Sequence, residues 1–142
     1  MRALLSIKPE HAENIFNGTK KYEFRRKIFG QKNVTAVVVY ATKPVGLIIG
    51  EFEVIEILAD SPQQIWDITR DRAGITKPYF DAYFHGREKA FAIRIGATDL
   101  YQEPLDPNVL MPRFTPPQSY MYIRSDLEGG RRMLQSDLFE LP

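Results

Sequence analysis

Gly18-Thr19-Lys20-Lys21-Tyr22-Glu23-Phe24-Arg25 is the stretch on which the fold turns. It stands between a helix and a strand. Upstream, Lys8-Pro9-Glu10 opens a helix, with Pro9 suited to its first turn. Ala12, Ile15 and Phe16 supply the apolar stripe. Asn17-Gly18 closes the helix, because glycine takes the left-handed conformation readily. Downstream, Lys21 to Lys27 alternates, so Tyr22 and Phe24 face one way and Glu23 and Arg25 the other.

Working outward, Ala3–Ile7 reads as a short buried strand. Val34–Tyr40 is a β-branched run and a second buried strand. Val45–Leu58 is a long strand, and Gly50 inside it predicts a bend or bulge. Ser61 caps a helix that begins at Pro62, with Gln64 completing a capping box. Ile65 and Ile68 are placed on its inner face, with Trp66 beside them. A further helix spans about Lys77 to Phe84 and ends at Gly86. Its Phe80 and Phe84 are read as core, while Tyr79 and Tyr83 are left open. Lys89–Ala97 is a strand with Phe91, Ile93 and Ile95 on one face. Asp99 to Gln118 holds five prolines and is expected to cross the surface with little regular structure. Ser119–Ile123 is a last strand. From there, residues 124–142 are a short C-terminal helix or a frayed end. About six strands with short helices predict an α+β fold built on a small barrel. The expectation is a single domain over residues 1–142.

The chain has 142 residues, 44% of them hydrophobic, which is enough for a core and excludes general disorder. It has no cysteine, so disulfide scaffolds, thiolate metal sites and cysteine nucleophiles are excluded. With two histidines, His11 and His85, a three-histidine metal site cannot form within one chain. Both are expected at the surface or in caps. No residue cluster calls for a metal or any other cofactor. No apolar run reaches the length of a membrane span and no targeting segment is visible, so a cytoplasmic protein is expected.

The net charge of +1 conceals a divided chain. Lys20, Lys21, Arg25, Arg26, Lys27 and Lys32 face a single acid, Glu23, giving a local +5 over residues 20–32. Residues 51–72 carry six acids against Arg70 and Arg72, a local −4. A basic segment of this kind can hold phosphates. It can equally be a solvated edge strand guarded by lysines. Glu23 and Arg25 can present acceptor and donor edges to a base, or can form a buried pair that fixes the barrel.

Gly18-x-Lys20-x-x-Glu23-x-Arg25, entering a strand after a helix, resembles the motif of the ASCH domain family, a branch of the PUA-like superfamily. The lead-in Leu5–Ala12 and the strand Gly46–Ile57 are similar to that family's opening. Tyr83–Ile93 and Pro116–Tyr120 resemble its phage- and prokaryote-associated branch. The likeness covers about residues 3–123. It implies a PUA-like β-barrel flanked by helices, with a cleft for RNA, a nucleotide or a nucleoside. The ligand-contacting residues it points to, together with the chemistry of their side chains, are Lys8, Gly18, Lys20, Lys21, Tyr22, Glu23, Arg25, Arg26, Tyr83, Ser119 and Tyr120. Tyr22, Tyr79, Tyr83 and Tyr120 are the candidate base stackers.

The favoured expectation is a module that binds single-stranded RNA or a modified nucleobase. The family also implies hydrolases, either ribonucleases or amidohydrolases acting on acetylated cytidine. For these, Lys20, Glu23 and Glu51 are the catalytic candidates, with Glu53 as a substitute for Glu51. The amidohydrolase branch carries threonine three residues after the lysine, where this sequence has Glu23. A third expectation is a protein partner docked on the aromatic and proline-rich segment 101–122.

Overall fold

The β-branched run ending at Tyr40 becomes β3 (Ala36–Ala41), near the middle of one sheet. The computed structural model describes residues 1–123 and 139–140. Around β3 it arranges β1 (Arg2–Ile7), β2 (Tyr22–Arg25), β4 (Leu47–Asp60), β5 (Ala90–Leu105), β6 (Met121–Ile123) and β7 (Phe139–Glu140). The helices are α1 (Pro9–Phe16), α2 (Pro62–Thr69), α3 (Lys77–Tyr83) and α4 (Pro107–Leu110), with a 3-10 turn at Arg70–Arg72. The fold is therefore α+β, as the sequence predicts. The expected helix or frayed end over 124–142 lies mostly outside the described residues.

Strand order is β2-β5-β4-β3-β1-β6-β7. β1 and β3 run parallel, Leu4 opposite Val38, with α1 and β2 in the connection between them. Every other pairing is antiparallel. β2 and β7 are the two ends of this series, so the sheet is not closed into a barrel by backbone hydrogen bonds. It is nevertheless curled far enough for β2 to reach β1 through a side chain: Arg25 donates to the carbonyl of Ser6 at 3.2 Å.

Gly50 lies beside the bulge that the sequence predicts. The register of β4 slips between Ile48 and Gly50 against β5, and between Val39 and Tyr40 on β3. A side chain at Gly50 would meet the Asp99 carbonyl at 2.5 Å and the Phe16 ring at 2.7 Å. Glycine here lets α1 seat on the sheet. Ala12 and Ile15 of α1 join Leu5, Val37, Val39 and Phe52 in the main core. Burying such side chains contributes roughly 1.5–3 kcal/mol each. A second cluster joins Phe24 of β2 to Ile65, Phe80, Phe84 and Ala92, which docks α2 and α3 beside β2.

Three local expectations need correction. β5 does not stop at Ala97 but continues to Leu105 as a ribbon with β4. Ile68 is 57% exposed, and Thr69 takes the inner position, its hydroxyl donating to the Ile65 carbonyl. Ser61 Oγ does accept from the Gln64 amide, but the Ser61 amide is taken by Asp60 Oδ1 rather than by Gln64. The segment 101–122 is partly anchored and partly exposed, with Val109 75% exposed. Tyr101, Leu105, Met111 and Phe114 pack against a core cluster that includes Leu4, Tyr40 and Met121.

Candidate functional site

The turn after α1 decides where Lys20 goes. Gly18 adopts φ +87°, and the amide of Lys20 then donates to the Asn14 carbonyl. The side chain passes inward over Gly74, whose φ is +70°. It ends buried, 2% exposed, with Nζ donating to the Ala73 carbonyl at 3.1 Å. Glu23 Oε1 stands 3.9 Å away and the Phe24 ring centroid 4.6 Å. Burial pulls the Lys20 ammonium below the ordinary lysine range, and the Glu23 carboxylate opposes that shift.

β2 places Glu23 and Arg25 on one face, as alternation predicts. Their side chains meet at 3.4 Å. Arg25 also donates to the carbonyls of Ser6 and Ser119, the latter at 2.8 Å. Glu23 thus sits between two cations. Arg25 spends most of its donors tying β2 to β1 and to the segment before β6, so it is as much a clamp as a ligand group.

These residues floor a pocket of about 180 Å³ lying between β2, the start of α1, and α3. His11 and Tyr79 form its far wall. The His11 ring meets Tyr79 edge-on, with Nε2 3.0 Å from the phenolic oxygen. Lys8 Nζ donates to that same oxygen at 3.4 Å. Partial burial, and then the nearby Lys20 charge, hold the His11 pKa below its ordinary value. Arg26, Tyr83 and Gln118 line the opening. The Arg26 guanidinium lies 4.4 Å over the Tyr83 ring. Among the described residues, no group of three histidine, aspartate or glutamate side chains could hold a metal ion.

The structure thus brings together Lys8, Lys20, Glu23, Arg25, Arg26 and Tyr83 from the residues singled out in the sequence, with Gly18 setting the turn behind them. It leaves others aside. Lys21 and Tyr22 line a different depression, beside Thr69 and Arg94. Tyr120 packs on Phe29 and Tyr122. Ser119 serves through its backbone carbonyl. Glu51 pairs with Arg2 at 3.2 Å and accepts from Tyr101 at 2.8 Å, and it does not line the pocket. Glu53 accepts from the Ala97 amide. Sequence reading missed His11, whose partner Tyr79 is 68 residues away. It also missed Ala73-Gly74, the support beneath Lys20.

Compared with known families, residues 5–99 match the ASCH domain. The chain belongs to the ASCH domain family. The ASCH fold is part of the PUA-like superfamily, in agreement with the motif and the α+β sheet. An "ASCH domain-containing ribonuclease" of Zymomonas mobilis is 29% identical over 130 residues, 87% of this chain and 85% of its own length. The crystal structure of ASCH from Zymomonas mobilis superposes with a TM-score of 0.81 at 29% identity, covering 88% of this chain and 89% of that one. The large ribosomal subunit protein uL22 of Ureaplasma parvum is 28% identical over 103 residues, 72% of this ASCH chain. The alignment spans only 33% of that protein's length. Among the described residues, no helix is long and apolar enough to cross a membrane.

Proposed function

We propose that residues 1–142 act as one ASCH domain that binds single-stranded RNA and cleaves it in the Lys20 pocket. The observation that carries this reading is the Lys20 ammonium, buried at the pocket floor, shifted toward neutrality and facing Glu23. A lysine that only held phosphate would gain from staying solvated and fully charged. Perturbed titratable groups gathered in a cleft are the usual mark of proton-transfer chemistry. The name of the Zymomonas mobilis relative supports the same reaction class.

The chemistry is a transesterification. The 2′-hydroxyl attacks the neighbouring phosphorus, the bond from phosphorus to the 5′-oxygen breaks, and a 2′,3′-cyclic phosphate and a 5′-hydroxyl result. Neutral His11 takes the 2′-hydroxyl proton. In the tautomer whose Nε2–H is donated to Tyr79, Nδ1 is the accepting atom. Lys20 stabilises the added negative charge at phosphorus and gives a proton to the departing 5′-oxygen. Its lowered pKa makes it a better acid than a solvated lysine. Glu23 keeps that proton in place until it is needed.

The test is a labelled single-stranded RNA incubated with wild type and with Lys20→Met. Cyclic-phosphate products with the wild type, absent with the variant, are expected. Retarded but intact RNA with both proteins would overturn the cleavage reading and leave a binding module. That second reading is favoured by the completeness of the Glu23–Arg25 pairing, which is what a fixed recognition edge requires.

A further inference from the structure

The Lys20 pocket does not end at Arg25. Arg25, Arg26, Tyr83 and Gln118 are shared with a second, wider depression of about 450 Å³. Four cations line it, Arg25, Arg26, Lys27 and Arg87, and no carboxylate does. They converge from the end of β2, the turn after it and the turn after α3. In a chain of net charge +1 this is a local concentration of one sign. Among the described residues, no carboxylate lies within ion-pair distance of Arg26, Lys27 or Arg87. Like charges crowded in a concavity repel, and a bound polyanion relieves that repulsion.

The arrangement suits a sugar–phosphate backbone better than a base. Arg26 covers a face of the Tyr83 ring and Phe84 meets that ring at 4.8 Å, nearly perpendicular. One face of Tyr83 is therefore taken by a guanidinium and is not open for base stacking. The planar guanidinium fork pairs bidentately with phosphate oxygens.

We propose that this groove is an extended subsite for the backbone phosphates of the nucleotides that flank the one in the Lys20 pocket. The inference rests on the RNA-cleavage reading above, and its test separates the two. The probe is a single-stranded oligonucleotide with 2′-O-methyl sugars, which lacks the attacking hydroxyl and cannot be cleaved. Its affinity is measured against salt for wild type and for the double variant Lys27→Gln, Arg87→Gln. Both side chains are exposed, so folding is retained, and matching thermal midpoints check this. Loss of two phosphate contacts flattens the slope of log affinity against log salt by about 1.4 for a single strand. Equal slopes would overturn the groove assignment, whatever the enzyme does. A flattened slope in a protein that leaves ordinary RNA intact would keep the groove and discard the cleavage reading.

Discussion

A Cβ atom built on Gly74 would stand 2.5 Å from the Cβ of Lys20. The glycine is also at φ +70°, which side-chain-bearing residues rarely adopt. Two penalties therefore fall on one substitution. Gly74→Ala is expected to cost about 3 kcal/mol, from a strained backbone conformation together with overpacking. The variant should also lose RNA cleavage at temperatures where it remains folded, because relief of the clash displaces Lys20 from Ala73 and Glu23. Chemical denaturation and a cleavage assay check the two effects. A stable, fully active Gly74→Ala would show that Lys20 is not held by this contact.

Lys20→Met is expected to separate stability from function. Burial outweighs Glu23 in setting the Lys20 pKa, so the fold disfavours the ammonium on balance. Methionine fills a similar volume without that penalty, and Glu23 keeps Arg25 as its partner. Removing one partner of a buried pair is costly when it strands the other charge, and here Arg25 remains to neutralise Glu23. The variant should thus melt at the wild-type temperature or higher, with a gain of about 1 kcal/mol, and should not cleave. A sharply lowered melting temperature would mean that the lysine is retained for the fold.

The sequence made the frame legible where one period dominates. The β-branched run at β3, the alternation at β2 and the Ser61 and Pro62 pair all appear where local chemistry puts them. The far half of β5 was not legible. Thr98, Asp99, Gln102 and Glu103 are exposed on a ribbon that pairs only with β4, so no apolar alternation marks it. Ile68 misleads because positions three and four after Ile65 both lie on its side of the helix, and Thr69 takes the inner one. At the site, the Gly18 to Arg25 motif points to three of the central side chains. His11 carries no such signal. A lone histidine on a helix becomes a wall of the pocket only because α3 delivers Tyr79 to it. Glu51 fails for the complementary reason: its partner Tyr101 lies on a strand that the prolines conceal.

Arg25→Lys should behave as a severe substitution. The guanidinium fork reaches the carbonyls of Ser6 and Ser119 while contacting Glu23. An ammonium cannot span both carbonyls at once. With β2 and β1 not joined by backbone hydrogen bonds, this bridge holds that side of the pocket. Loss of two such bonds is expected to cost about 2 kcal/mol. Hydrogen exchange at β2 should quicken while the centre of β3 stays protected. Unchanged exchange at β2 would remove the clamp from the account.

The pH dependence follows from two shifts of the same direction on groups of opposite task. In the proposed reaction His11 acts when neutral, and its pKa lies below 6.5, so the rising limb of kcat/KM is expected below that pH. In that same proposed reaction Lys20 acts when protonated, and its pKa lies below 10.5, so the falling limb is expected before the ordinary lysine range. Lys20→Arg stays charged throughout and should abolish the falling limb, at much reduced rate, while leaving the rising one. Stability carries its own signature. Below 6.5 the unfolded His11 binds a proton before the folded one does, so stability falls as pH drops through that window. On the alkaline side the folded Lys20 gives up its proton first, so the same linkage raises stability between its folded pKa and 10.5. Cleavage is therefore expected to decline at alkaline pH where the Lys20 contribution to folding improves. Parallel rate and melting profiles would reveal opposite trends there. A fall in both would show that the loss of activity is unfolding rather than titration of Lys20.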